Sequence, residues 1–193
     1  MFSNHLANAW NIGEGVQPVT ALNPDLHVDD AYKIQLYTIQ QQVQSGQTIT
    51  GKKIGLTSKS MQTMLGVGEP DFGHLLDGME LKNGDSLSFK KLLQPKVEAE
   101  IAFILTEVDL KQIGMALYHN DVLQNTGVGA AALGNPAKCV AWLANKLADY
   151  DVALKAGEVV LSGALSAAIE VKPGDRCRAK FAELGEVAVS FTE

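Results

Sequence analysis

Cysteine is scarce in this chain, and basic residues are outnumbered by acidic ones. Its 193 residues include two cysteines, Cys139 and Cys177, which belong to no Cys-x-x-Cys or Cys/His cluster with zinc spacing. We therefore expect both thiols to be reduced and buried as small apolar side chains. The formal net charge is −6, and no segment is dense in lysine and arginine. This balance excludes an electrostatic nucleic-acid surface and favours small molecules or other proteins as partners.

Long hydrophobic runs are also absent. No segment approaches the roughly 20 apolar residues that a membrane-spanning helix needs, and the N-terminus lacks a basic region followed by an apolar one. We therefore expect a cytoplasmic protein with no membrane partner. The composition, 46% hydrophobic and 20% charged, is typical of one globular domain over residues 1–193.

Two segments carry the pattern of an amphipathic helix. Over residues 29–43, apolar side chains recur at steps of four and three, namely at Tyr32, Leu36, Ile39 and Val43. The second helix is predicted over residues 136–148, where Asn135 can cap and Pro136 fits the first position. Its predicted apolar face consists of Ala137, Val140, Ala141, Ala144 and Leu147, and it is widened by Trp142 and Leu143.

The remaining sequence favours strands and turns. Residues 1–50 are predicted to form a helical N-terminal portion, and residues 51–193 a β-rich portion that contains the second helix. The C-terminal part alternates short apolar runs with turn signals at Pro173-Gly174-Asp175 and Glu183-Leu184-Gly185. These signals predict a mainly antiparallel sheet system.

The stretch "QPKVEAEIAFIL" places Glu98 and Glu100 one residue apart in an apolar run. In a single strand from Val97 onward, both glutamates would share a largely buried face that continues as Ala102 and Ile104. Side chains two apart on a strand start about 6.5–7 Å from one another, so their carboxylates can converge on one divalent cation. The alternative is an edge strand whose glutamates reach water or a nearby lysine.

Six blocks of sequence, in this order, resemble one known family: "GKKIGLTSK", "MLGVGEPDFGHLLDGM", "QPKVEAEIAFIL", "TGVGAAALGNPAKCVAWLANKL", "LKAGEVVLSGAL" and "KPGDRCRAKFAELGEVAVSF". Together they resemble the fumarylacetoacetate hydrolase superfamily, and within it the 2-hydroxypenta-2,4-dienoate (2-keto-4-pentenoate) hydratases of bacterial meta-cleavage pathways. The resemblance implies an α+β fold in which N-terminal helices pack on a mixed, mostly antiparallel β-roll. It also implies a homo-oligomer.

The resemblance implies a role for four side chains. Glu98 and Glu100 match two of the three acidic ligands that hold Mg²⁺ or Mn²⁺ in the superfamily. Lys53 matches a lysine beside the substrate, and Asp71 matches an acidic residue that handles protons. Without the resemblance, Lys53 would be interpreted as a surface lysine and Asp71 as an aspartate that caps a turn.

Three further positions follow from the same blocks. Ser162 and Gly163 correspond to the loop that borders the substrate carboxylate in similar proteins. Lys52 would point away from Lys53 if the segment is extended. His74, just after the Pro-Asp-Phe-Gly block, is a candidate titrating group or simply a polar loop residue.

One part of the family pattern has no counterpart here. The third acidic ligand is carried in similar proteins by a long segment that follows the strand equivalent to "AEIAFIL". In this chain "ILTE" runs directly into "VDLKQIGMALYHND". Either a stretch of the natural molecule is absent from these 193 residues, or the chain has lost it.

The expected activity is the metal-dependent hydration of 2-hydroxypenta-2,4-dienoate to 4-hydroxy-2-oxopentanoate in the degradation of aromatic compounds. Two alternatives belong to the same superfamily: a 2-oxo-3-hexenedioate (4-oxalocrotonate) decarboxylase and an acylpyruvate hydrolase. A third alternative is a non-catalytic subunit that binds a partner. Association with a neighbouring enzyme of the pathway is compatible with each of them.

Overall fold

The computed structural model describes residues 2–103 and 110–193. Its helices are α1 (Phe2–Ile12), α2 (Val19–Leu22), α3 (Val28–Gln44), α4 (Lys59–Leu65) and α5 (Pro136–Ala148). Its strands are β1 (Ile49–Gly55), β2 (Asp71–Leu76), β3 (Ser86–Ser88), β4 (Lys96–Val97), β5 (Glu100–Phe103), β6 (Gly114–His119), β7 (Val122–Val128), β8 (Val159–Ala164), β9 (Ile169–Glu170), β10 (Arg176–Phe181) and β11 (Gly185–Thr192).

The strands form three sheets. A four-stranded sheet has the order β2-β1-β8-β5, a five-stranded sheet has the order β3-β11-β10-β6-β7, and β4 pairs with β9. Among the described strands, the pairs β1 with β8 and β11 with β3 are parallel, and the other pairs are antiparallel. The mixed, mostly antiparallel α+β architecture expected from the sequence is confirmed.

The two faces of the four-stranded sheet have different surroundings. On one face Ile54 and Phe72 are 0% and 1% exposed, and the Phe72 ring stacks on Tyr32 of α3 with centroids 4.5 Å apart. Successive side chains of a strand point to opposite faces, so Lys53 and Asp71 project from the other face. The sheet therefore buries one side under α3 and presents the other side to the candidate site.

Helix α3 follows its predicted stripe at Tyr32, Leu36 and Ile39, which are buried or half-buried, but not at its C-terminal end. Tyr32 is buried, but Val43 is 41% exposed. The hydroxyl of Ser3 in α1 donates to the Gln41 side-chain oxygen at 3.0 Å and contacts the Thr38 hydroxyl at 2.9 Å. Because α1 docks through these polar groups, the apolar stripe does not determine the packed face along the whole helix.

Helix α5 has the predicted bounds, and its buried face agrees with the prediction in part, at Leu143 and Leu147. The Asn135 side chain accepts a hydrogen bond from the Ala137 N–H at 3.0 Å, which confirms the predicted cap. The fully buried positions are Pro136, Cys139, Leu143 and Leu147, whereas Ala137, Ala141 and Ala144 are exposed. The predicted face was therefore wrong at its three alanines, because the larger side chains release more free energy on burial than alanine methyl groups do.

The segment that carries the two glutamates is not one continuous strand. It breaks at residues 98–99, between β4 and β5, and each half pairs with a different strand. Ala102 is exposed, so the glutamate face is open rather than buried as predicted. Ile104 and Leu105 of that prediction lie outside the described residues.

Cys139 and Cys177 are both free and buried, as expected. Within residues 2–103 and 110–193, no helix is long and apolar enough to cross a membrane.

Candidate active site

Lys53 and Asp71 form an ion pair on the open face of the four-stranded sheet. The Lys53 Nζ atom donates to Asp71 Oδ1 at 3.1 Å across the antiparallel pair of β1 and β2. Their side chains are 43% and 45% exposed, so a small molecule in solution can reach both. The two residues that the resemblance assigns to substrate contact and proton handling are therefore brought together.

Two glycines make room for this pair. A Cβ atom at Gly55 would contact the Asp71 carboxylate and would lie 2.8 Å from the Lys53 ammonium. A Cβ atom at Gly73 would lie 3.2 Å from Cε of Lys53. Sequence reasoning missed this function, although both glycines stand in the quoted blocks, because the contact depends on how the two strands pair.

Glu100 lies on the same face as Lys53. The register sets Leu161 of β8 beside both Lys53 and Ala102, and Glu100 is two residues from Ala102 on its strand. The Gly163 N–H donates to Glu100 Oε2 at 2.8 Å. This hydrogen bond fixes one carboxylate oxygen and leaves the other available.

The pKa of Glu100 depends on three other site residues, Glu98, Lys53 and Gly163. Its pKa is raised to about 7, mainly by burial. The Gly163 hydrogen bond and the Lys53 charge oppose this rise, and the negative charge of Glu98 adds to it. Glu98 itself is exposed. A half-buried carboxylate with a second carboxylate beside it is a position that a bound cation would stabilise in its ionised form.

Ser162 and Gly163 lie at an irregular point of β8. The register between β5 and β8 shifts there, and Gly163 has a φ of 103°, a conformation that favours glycine. Ser162 is fully buried, and its Oγ atom has no hydrogen-bond partner within the described ranges. A buried hydroxyl without a partner costs free energy. Because Ser162 follows Leu161, which lies on the Lys53 face, alternation along β8 directs this hydroxyl to the opposite, buried face.

Glu98 and Glu100 can supply two of the protein ligands of a divalent cation. Hard cations such as Mg²⁺ accept one or two protein carboxylates and complete their shell with water and substrate oxygens. Glu98 and Glu100 are a suitable pair of that kind. Over residues 2–103 and 110–193, no group of three or more His, Cys, Asp or Glu side chains can hold a metal ion. A third protein ligand is therefore missing from the described part of the chain.

Lys52 and His74 lie on the other face of the sheet. Lys52 is 1% exposed and donates to Glu158 Oε2 at 2.6 Å. His74 is 7% exposed and contacts Gln35 of α3 through Nδ1 at 3.3 Å. Burial, together with the charge of Lys52, lowers the pKa of His74 to about 4. The expectation that Lys52 points away from Lys53 is confirmed, and His74 does not face the candidate site.

A cavity of about 290 Å³ adjoins the two glutamates. It lies between the segment Val97–Glu100 and the inner face of the five-stranded sheet. Most of its lining is apolar: Val97, Ala99, Leu117, Leu161, Ala179, Phe181, Val187, Ala188 and Val189. The site thus combines charged groups with an apolar recess.

Comparisons with known proteins agree with this geometry. A family model described as fumarylacetoacetate (FAA) hydrolase C-terminal matches residues 99–192. The 2-keto-4-pentenoate hydratase of Paraburkholderia xenovorans (strain LB400) is 33% identical over 247 residues, covering 96% of this chain and 92% of that protein. The 2-hydroxyhexa-2,4-dienoate hydratase of Comamonas testosteroni is 32% identical, covering 97% of this chain and 95% of that protein.

Solved structures extend the comparison to the fold. The 4-oxalocrotonate decarboxylase from Pseudomonas putida G7, complexed with magnesium and adipate, superposes with a TM-score of 0.92 at 27% identity. The match covers 98% of this chain and 95% of that chain. A second structure of that enzyme contains calcium and acetate.

The alignments also bear on the missing segment. The alignment with the Paraburkholderia hydratase runs over 247 residues, whereas this chain has 193. It must therefore include positions of the relative that have no counterpart here. This agrees with the expected absence of an internal segment.

By its similarity to these hydratases over nearly its whole length, the chain belongs to the fumarylacetoacetate hydrolase family and, within it, to the group of the 2-keto-4-pentenoate hydratases.

Proposed function

We propose that this protein is a hydro-lyase that converts 2-hydroxypenta-2,4-dienoate to 4-hydroxy-2-oxopentanoate. The carrying observation is the accessible Lys53–Asp71 ion pair on the sheet face that also presents Glu100. Hydratases of this substrate class are about one third identical over most of the chain. An acid, a base and a cation-binding carboxylate on one face are the groups that such a reaction needs.

We assign the divalent cation, Mg²⁺ or Mn²⁺, to the carboxylates of Glu98 and Glu100. When bound, the cation would act as a Lewis acid toward the carboxylate and 2-oxo oxygens of the substrate. The Gly163 N–H orients Glu100 by holding Oε2 at 2.8 Å, so that the other oxygen can face the site. Gly163 would thus act through Glu100, and the loop of Ser162 and Gly163 is the proposed border of the substrate carboxylate.

Lys53 and Asp71 are the proposed proton-handling pair. Isomerisation of the dienol moves the proton of the C2 hydroxyl to C5, and hydration then adds the oxygen of water to C4 and a proton to C3. Each stage needs one group that accepts a proton and one that supplies it. A carboxylate and an ammonium 3.1 Å apart satisfy both needs, because one hydrogen bond links the acceptor to the donor.

Substitution of either glutamate tests this proposal. Glu98→Gln and Glu100→Gln keep the side-chain shape and remove one negative charge, so turnover of 2-hydroxypenta-2,4-dienoate should fall about a hundredfold or more. Addition of a chelator should have a similar effect. Glu170→Gln serves as the control, because the Glu170 side chain is 84% exposed on β9, outside the site. Sustained turnover in metal-free protein would refute the assignment.

A second candidate is decarboxylation, favoured by the TM-score of 0.92 with the Pseudomonas decarboxylase. The two reactions are distinguished by product. Release of CO₂ from 2-oxo-3-hexenedioate, without hydration of 2-hydroxypenta-2,4-dienoate, would establish the decarboxylase. We favour the hydratase, because the hydratases of Paraburkholderia xenovorans and Comamonas testosteroni are more similar in sequence, at 33% and 32% against 27% identity.

A further inference from the structure

The cavity beside the glutamates has an apolar floor. Along β10, the side chains of Cys177, Ala179 and Phe181 are 1%, 7% and 9% exposed and point to the inner face of the sheet. The register sets Leu117 of β6 and Val187 of β11 beside Ala179, so both share that inner face. Aliphatic and aromatic side chains therefore form the wall opposite Glu98 and Glu100.

The one cationic residue among those described around the cavity is Arg178, and its charge is directed elsewhere. It alternates with the inward-facing residues of β10 and so projects from the opposite face of the sheet. Its guanidinium donates to Glu186 Oε2 at 3.3 Å and lies over the Tyr118 ring at 4.4 Å from the centroid. Neither contact leaves the guanidinium free to bind a second carboxylate inside the cavity.

We propose that this cavity receives an apolar chain attached to C5 of the substrate. The preferred substrates are then 2-hydroxy-2,4-dienoates with alkyl tails, and substrates with a second carboxylate are disfavoured. This inference rests on the proposed function, since the head of the substrate must be anchored near Glu98 and Glu100. An apolar tail gains free energy from burial, whereas an unpaired carboxylate in the same recess loses its hydration.

The test is direct binding of saturated 2-oxo acids, which present the head group and are not hydrated. Calorimetry in the presence of Mg²⁺ would compare 2-oxopentanoate, 2-oxooctanoate and 2-oxoheptanedioate. Each added methylene group should tighten binding about fourfold, so the octanoate, with three more of them, should bind roughly sixtyfold more tightly than the pentanoate. The dioate should bind at least about tenfold more weakly than the octanoate, because its distal charge would be buried without a partner.

A pair of matched variants locates the effect. Val187 lines the cavity and is 48% exposed, whereas Val122 is 60% exposed and does not line it. Val187→Lys should weaken binding of 2-oxooctanoate and tighten binding of 2-oxoheptanedioate, because it adds a cation at the cavity mouth. Val122→Lys should change neither affinity.

The outcomes separate this inference from the proposed function. Turnover of 2-hydroxypenta-2,4-dienoate together with affinities that do not depend on tail length would overturn the cavity assignment alone. Equal or tighter binding of the dioate in the wild-type protein would also overturn it. Absence of both turnover and 2-oxo acid binding would refute the proposed function itself.

Discussion

Two hydrogen-bonded side chains from neighbouring strands, Lys53 and Asp71, depend on a third residue that contributes no atoms to chemistry. Gly55 leaves open the space that the Asp71 carboxylate and the Lys53 ammonium occupy. Both groups are the ends of side chains that can move. A methyl group at this position would therefore displace the ion pair without disturbing the backbone of β1.

This arrangement predicts the effect of Gly55→Ala. We expect kcat/KM for the dienoate to fall about ten- to hundredfold, because a misplacement of about 1 Å is enough to cost that much. The melting temperature should change little, since an alanine in a strand also restricts the unfolded chain. Gly78→Ala is the control, because nothing lies within 4 Å of a Cβ atom there. Unchanged kcat/KM in Gly55→Ala would mean that the ion pair is not needed for turnover.

At the scale of single residues, the sequence was informative where a motif names a residue type. Lys53, Asp71, Glu98 and Glu100 were candidates through the family resemblance, and their roles remain proposals. The contribution of Gly55 could not be predicted, because a close approach across two strands depends on their register. The orientation of Lys52, in contrast, follows from simple alternation along an extended segment.

Two elements, β1 and the turn before β8, are joined by a buried ion pair. The Lys52 and Glu158 side chains are 2% and 8% exposed, and Glu158 Oε2 also accepts the Lys155 N–H at 3.0 Å. The pair lies beneath the strands that carry Lys53 and Ser162. Its rupture should therefore affect the global stability of the sheet.

We expect Lys52→Met to lower the free energy of unfolding by about 3–5 kcal/mol, because it leaves the Glu158 charge buried without its partner. The double variant Lys52→Met with Glu158→Leu should be less destabilised, since no lone charge remains. Urea denaturation measures both. Lys96→Met breaks an ion pair whose side chains are 58% and 84% exposed and should cost less than about 1 kcal/mol. Equal losses in Lys52→Met and Lys96→Met would contradict the prediction.

Features of a helix or strand that depend on its own sequence could be predicted, whereas features that depend on neighbouring elements could not. The limits of α5 followed from a local cap and a proline at the first turn, which act without tertiary contacts. Its buried face and the packing of α3 were set by neighbouring elements. The break between β4 and β5 arises because each half pairs with a different strand, and alternation within one segment cannot indicate that.

Over the whole molecule, the cavity results from two sheets that face each other, and its existence could not be predicted without the strand order.

The chain also lacks positions that its relatives contain, and the described residues supply two carboxylates rather than three. Water and substrate oxygens would therefore complete the ligand shell of a bound cation. Because the protein and the substrate would share the ligands of the cation, the binding of the cation and the binding of the substrate depend on each other.

The expected consequence is positive coupling between Mg²⁺ and a 2-oxo acid. Mg²⁺ alone should bind weakly, because two carboxylates leave most of its coordination to water. Saturating 2-oxopentanoate should tighten Mg²⁺ binding about tenfold or more, and Mg²⁺ should tighten 2-oxopentanoate binding by the same factor, as linkage requires. Calorimetric titrations in both orders measure the two factors, and Glu100→Gln should reduce both. Tight binding of Mg²⁺ to the unliganded protein, unaffected by the 2-oxo acid, would instead indicate a complete ligand set within this chain.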